Sequence, residues 1–164
     1  MDTSFTIRLL NNSHCQQIID LILPIQQIEF NEPVTINDQP DLLDIDSNYY
    51  KTGGCFWGII RNGEVIGTIA LIANGHQTGT IRKMFVKKEF RGKESGLAQQ
   101  LMETLKAYCA KHQICHLYLG TADFLKAACR FYERNGFQVT APADLPTYFP
   151  RMEIDNLFYY LKLC

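Results

Sequence analysis

Met84-Phe85-Val86-Lys87-Lys88-Glu89-Phe90-Arg91-Gly92-Lys93-Glu94-Ser95-Gly96-Leu97-Ala98 reads as the end of a strand, a basic turn and the start of an amphipathic helix. That helix runs from Gly96 to about Lys111, with Leu97, Leu101, Leu105, Tyr108 and Cys109 on one face. The first N–H groups of a helix lack intrahelical partners and carry the positive end of its macrodipole. Glycine and alanine let an anion approach the backbone, so such an end suits a pyrophosphate. A basic turn that merely connects two elements has the same composition, and the turn by itself leaves both readings open. The P-loop pattern G-x-x-x-x-G-K-[ST] does not occur, nor does G-x-G-x-x-G after an early strand, so those two phosphate loops are excluded by pattern.

Upstream of the turn, residues 5–10 read as a first strand, with Ser13 as N-cap of a helix whose face is Ile18, Ile19 and Ile22. Pro24 stops or kinks that helix. Residues 31–54 are irregular, with room for a short helix around 42–49. Residues 55–60, 65–73 and 80–86 read as an antiparallel meander. Its first turn is Arg61-Asn62-Gly63-Glu64, where Asn-Gly tolerates positive φ, and its second spans residues 74–79. Downstream, residues 114–119 form a short apolar strand and residues 124–134 a helix stopped by Asn135-Gly136. Residues 137–140 and 157–163 are the last strands. This order makes a mixed α/β sheet with helices packed on it.

The chain has 164 residues and a formal net charge of −1. That length suits one domain over residues 1–164. The charge balance calls for neither nucleic acid nor a membrane surface as partner. The longest apolar run, residues 18–25, is broken by Asp20 and Pro24 and is too short to span a bilayer. Residues 1–10, MDTSFTIRLL, lack the basic stretch and apolar core of a signal peptide, so a cytoplasmic protein is expected. The six cysteines (Cys15, Cys55, Cys109, Cys115, Cys129 and Cys164) make no C-x-x-C pair and read as reduced, small hydrophobes. His112 closes a helix and His116 opens a strand, so with Cys115 they need not converge, and no metal is expected.

With the turn goes a second motif, Phe131-Tyr132-Glu133-Arg134-Asn135-Gly136-Phe137, at the end of the second long helix. Together they resemble the GNAT superfamily of N-acetyltransferases, in its bacterial single-domain form. The loop of that family is Gln/Arg-x-x-Gly-x-Gly/Ala between a central strand and a long helix. Here Lys93-Glu94-Ser95-Gly96-Leu97-Ala98 matches it from the fourth position, Lys93 stands for Gln or Arg, and Arg91-Gly92 precedes it. The second motif matches Phe-Tyr-x-x-x-Gly-Phe. The resemblance covers nearly the whole chain and implies a central, mostly antiparallel sheet of about seven strands with helices on both faces. It implies acetyl-CoA as co-substrate, its pyrophosphate on residues 91–98 and its pantetheine arm along the backbone of Met84, Phe85 and Val86. It also implies Tyr132 as general acid toward the coenzyme A thiolate. Dimerisation is a further expectation from the family alone.

Two positions depart from the family pattern. Leu125 stands seven residues before the tyrosine, where many members carry Asn, and Thr80 stands where some carry a strand glutamate that acts as base. Candidate bases here are Glu29, Asp38 and Asp41, or a chain of waters. The acceptor, a small-molecule or peptide amine, is expected between residues 25–50 and 141–156, with Phe30, Tyr49, Tyr50, Trp57, Tyr148, Phe149 and Arg151 as wall residues. A domain that holds acetyl-CoA without transfer, and an interaction domain whose turn binds another anion, are the rival readings.

Overall fold

A computed structural model describes residues 4–164; residues 1–3, the start of the segment read above for a leader, lie outside the described residues. In chain order its elements are β1 (Thr6–Leu9), α1 (Cys15–Pro24), α2 (Ile45–Asn48), β2 (Cys55–Arg61), β3 (Glu64–Gly75) and β4 (Thr78–Val86). There follow α3 (Leu97–Lys111), β5 (His116–Thr121), α4 (Lys126–Arg134), β6 (Gln138–Thr140) and β7 (Leu157–Lys162). The strands form one seven-stranded sheet in the order β1-β2-β3-β4-β5-β7-β6, and every neighbouring pair is antiparallel except β4 and β5.

Each face of the sheet has its own core, because alternate residues along each strand point to opposite sides. One core packs Leu97, Leu101 and Leu105 of α3 and Cys129 and Tyr132 of α4 against Trp57, Ile69, Leu71, Ile81 and Leu117. The other packs Ile18, Leu21, Ile22 and Ile25 against Phe56, Val65 and Ala70, with Leu42, Ile45 and Tyr49 closing it. Burying a leucine or isoleucine side chain contributes roughly 1.5–3 kcal/mol, so both cores contribute to holding the helices on the sheet.

Local details differ from the sequence reading for identifiable reasons. Asn11, not Ser13, supplies the first cap: its side chain accepts from Ser13 N at 2.9 Å and starts a 3₁₀ turn, Asn12–His14, that leads into α1. Pro24 does not end the helical path. The α-helical bonding stops there and widens into a π-helical turn, Ile25–Glu29, closed by Phe30 N on Ile25 O at 3.1 Å. Residues 42–49 split into a 3₁₀ turn, Pro40–Leu43, and α2, because Asp44 leaves helical geometry to cap Ser47 N at 3.1 Å. At the tip between β3 and β4, His76 and Gln77 take positive φ (54° and 58°) and make a two-residue hairpin loop tighter than residues 74–79.

The cysteine reading needs one correction. Cys115 and Cys164 form a disulfide, and Cys15, Cys55, Cys109 and Cys129 are free. The pairing follows from topology: β5 and β7 run antiparallel with His116 opposite Lys162, so the residue before β5 meets the end of the chain. Leu163 N donates to Cys115 O at 2.7 Å beside the bond. No helix among the described residues is long and apolar enough to cross a membrane.

Candidate active site

The site originates in a single break in the sheet. β4 and β5 pair only from Thr78 opposite His116 to Thr80 opposite Tyr118. Beyond that point the strands diverge, and a cleft opens between residues 81–85 on one side and 119–122 on the other. Strand peptide groups that face such a gap have no strand partner and must find another. Tyr132 and Leu125 of the α4 region, Phe149, Met152 and Asp155 of the loop before β7, and Gln26 and Glu32 of the segment after α1 complete the walls.

A bulge in β4 shapes the cleft further. Thr68 stands opposite Phe85 and Ala70 opposite Arg82, so Lys83 and Met84 together face Ile69. Lys83 takes up the extra length with φ of 55°, a conformation that costs a lysine backbone strain. The buried Thr68 hydroxyl braces the bulge by donating to Lys83 O at 2.7 Å. The Lys83 side chain is itself buried, and its ammonium donates to Gln39 Oε1 at 2.6 Å and lies 3.6 Å from Asp41. Gln39 is locked in turn by two reciprocal amide hydrogen bonds: its Nε2 donates to Gln26 Oε1 at 2.8 Å and Gln26 Nε2 donates to its Oε1 at 3.2 Å. Burial pulls the Lys83 ammonium down to about 8, with the Asp41 charge opposing.

Tyr132 lies in the last turn of α4, with its ring among Phe131, Phe137 and Tyr159, and lines the cleft. Burial, reinforced by Cys129 and Asp155, pushes its phenol well above the usual tyrosine value, so it holds its proton through the neutral range. Asp155 and Glu32 are both raised above ordinary carboxylates, first by burial; Glu32 is raised further by Asp155.

The basic turn is built to present backbone. Gly96 is the N-cap of α3 in a left-handed conformation (φ 65°), and no side chain caps the helix. Ser95 Oγ donates to Phe90 O and Gly92 O at 2.9 and 3.0 Å, which folds the loop on itself. Arg91 ties the loop to the rest of the molecule: its Nε donates to Val86 O at 2.7 Å and its guanidinium grips Glu29 in a bidentate pair. Lys93 and Glu94 are exposed.

The sequence-predicted residues therefore separate into groups. Met84, Phe85, Tyr132, Leu125 and Phe149 come together around the cleft, and Val86 sits at the loop's origin. Glu29 stands on Arg91, which holds its carboxyl below the usual range; it does not line the cleft and is a poor proton acceptor there. Asp38 caps the turn at Thr35, and Asp41 accepts from Tyr49. Thr80 donates to Asn74 at 2.7 Å. Tyr49 and Trp57 are core residues rather than acceptor walls, and Tyr50 donates to Leu10 O and Phe56 O. Tyr148 donates to Thr78, and Arg151 lies 4.9 Å over the ring of Phe158. Among the described residues, no group of three or more metal-ligating side chains converges.

Sequence reasoning missed Gln26, Glu32, Gln39, Arg82, Lys83 and Asp155. The one visible signal was Arg82-Lys83 itself, two adjacent charges inside an otherwise uncharged central strand.

Comparison with known proteins agrees with this fold. A model of the acetyltransferase (GNAT) family matches residues 19–137. N-acetylaspartate synthetase of Danio rerio is 31% identical over 127 residues, 74% of this chain and 44% of the relative. The chain thus spans less than half the length of that relative. A solved acetyltransferase of the GNAT family from Staphylococcus aureus superimposes with a TM-score of 0.94 at 37% identity, covering 98% of this chain and 100% of that one. The PaiA N-acetyltransferase of Thermoplasma acidophilum, solved in complex with coenzyme A, shares the fold at a TM-score of 0.73 and 18% identity over 97% of this chain and 99% of its own.

Proposed function

The chain belongs to the acetyltransferase (GNAT) family, and on that footing we propose that it transfers the acetyl group of acetyl-CoA to a primary amine by direct attack in a ternary complex. The observation that carries this reading is the divergence of β4 from β5 around a cleft into which a buried, protonated tyrosine faces. In the proposed complex the pyrophosphate lies on the backbone of residues 91–98, where the N–H groups of α3 begin. The pantetheine arm pairs with peptide groups of Met84 and Phe85 in the gap, and the thioester reaches Tyr132. A strand N–H polarises the carbonyl. The amine attacks, the C–N bond forms, the C–S bond breaks, and Tyr132 gives its proton to the departing thiolate.

Thr80 and Leu125 had favoured a module that holds the cofactor without transfer. The cleft supports transfer instead, because it gathers a phenol that keeps its proton and two carboxylates with a raised affinity for one. The test is release of free thiol from acetyl-CoA across a panel of amines, by wild type and by Tyr132→Phe. We expect turnover that falls about 10²-fold or more in the variant, with acetyl-CoA binding retained. Turnover that is the same in both proteins would remove Tyr132 from the mechanism. Tight cofactor binding with no thiol release on any amine would overturn the transferase reading itself.

A further inference from the structure

A regular strand sends adjacent side chains to opposite faces, yet Arg82 and Lys83 emerge on the same one. Arg82 stands opposite Ala70, which belongs to the core under α1. After the bulge, Lys83 reaches Gln39 on that side as well. Two cations are thus placed side by side where β4 leaves β5, Lys83 matched by Asp41 at 3.6 Å and Arg82 open to the cleft. Two carboxylates line the same cleft, and one of them stands on the β5 side. Asp155 rests directly over Gly120 of β5: a Cβ there would lie 2.5 Å from Asp155 Oδ2, so a larger residue would displace this carboxyl group. Glu32 is brought in by the turn after the π-helical segment, where its N–H donates to Gln26 O at 2.8 Å. Arg82, Glu32 and Asp155 take part in none of the ion pairs formed among the described residues. The groups that bear electrostatically on Asp155 are Arg82, Lys83 and Arg151, and Asp155 bears in turn on Glu32 and Tyr132.

Arg82 on β4 and Asp155 over β5 complement a small molecule that carries both charges. A guanidinium is suited to a bidentate grip on a carboxylate, and a buried carboxylate beside an ammonium is suited to take its proton.

We propose that the acceptor is an amine that also bears a carboxylate, of the amino-acid class, with its carboxylate on Arg82 and its ammonium at Asp155, which removes the proton that blocks attack. The proposal rests on the transferase reading above. The ammonium passes one proton to Asp155, and its freed lone pair forms the C–N bond. The C–S bond breaks and the thiolate takes the proton of Tyr132. The nitrogen then loses its second excess proton, which restores the phenol, while Asp155 returns its own to solvent. The amide, free thiol and one released proton balance the acetyl-CoA and ammonium consumed.

The experiment measures thiol release from acetyl-CoA with α-amino acids, including acidic ones, beside their decarboxylated amines and a short amidated peptide, for wild type, Arg82→Gln and Asp155→Asn. Acetyl-CoA binding by calorimetry reports the integrity of each variant. We expect kcat/KM for carboxylated amines to exceed that for their decarboxylated counterparts by at least about tenfold. Arg82→Gln should abolish that preference through KM. Asp155→Asn should lower kcat about 10²-fold and remove the acid limb of the pH profile while still binding acetyl-CoA. Decarboxylated amines or the peptide turning over as well as amino acids would overturn the proposal and leave the transferase reading standing. An unchanged pH profile in Asp155→Asn would remove Asp155 as the base. Silence on every amine, with acetyl-CoA bound, would overturn both readings.

Discussion

Lys83 concentrates at one position what the site demands of a residue. Its backbone is left-handed to absorb a bulge, its ammonium is buried, and its partners are an amide and a carboxylate. The consequence for stability can be worked out with its sign. The folded-state pKa is lowered from 10.5 to about 8, so between those values the unfolded chain binds the extra proton and stability rises with pH. Below about 8 both states are charged and the cost of burying the charge is felt in full. Chemical denaturation of wild type and Lys83→Met at pH 7, 8, 9 and 10 isolates this contribution, because the buried thiols and phenols are common to both proteins. We expect the difference in unfolding free energy to move in favour of wild type as pH rises, by up to roughly 3 kcal/mol over the window at ~1.4 kcal/mol per pKa unit. A difference that does not change with pH would show that the ammonium is not desolvated.

The elements were legible in the sequence wherever a local rule sets them. The leucines of α3 recur on one helical face, Asn62-Gly63 makes its hairpin with both φ angles positive, and Gly136 ends α4 as read. What escaped depends on register or on residues far apart in the chain. The bulge at Lys83 exists only relative to Thr68 and Ala70 on β3, and the environment of Asp155 is made by Gly120, Arg82 and Glu32. Glu29 illustrates the limit. Its position after the first helix suggested a base, but the π-helical turn directs it to Arg91 and so to the basic loop. We propose that Glu29 tethers the loop, and Glu29→Gln separates the two roles. A partly exposed ion pair is worth up to ~1 kcal/mol, so KM for acetyl-CoA should rise no more than about fivefold, with kcat and its pH profile unchanged. Steady-state kinetics that showed instead a large loss of kcat and of its pH dependence would restore Glu29 as a base.

Taken whole, the molecule keeps its chemistry and its covalent tie at opposite ends of β5. The cleft is lined by Leu119, Gly120, Thr121 and Ala122 at the strand's far end, while the Cys115–Cys164 bond sits just before the strand begins. The 49-residue separation between the two cysteines encloses α4 with Tyr132, β6, and the loop carrying Asp155. A bond of that span acts mainly by restricting the unfolded chain, and such bonds are typically worth about 2–4 kcal/mol. In the folded state β5 and β7 are already paired along their length, so its loss leaves the cleft's geometry in place. Cys164→Ser should therefore have an unfolding free energy lower than oxidised wild type by that amount and a lower denaturant midpoint, and reductant should bring wild type to the same midpoint. Thiol release from acetyl-CoA at temperatures well below unfolding should be the same in both. A variant as stable as oxidised wild type would mean that the bond adds nothing to stability, and lost turnover at full folding would mean that its constraint reaches the cleft through β7.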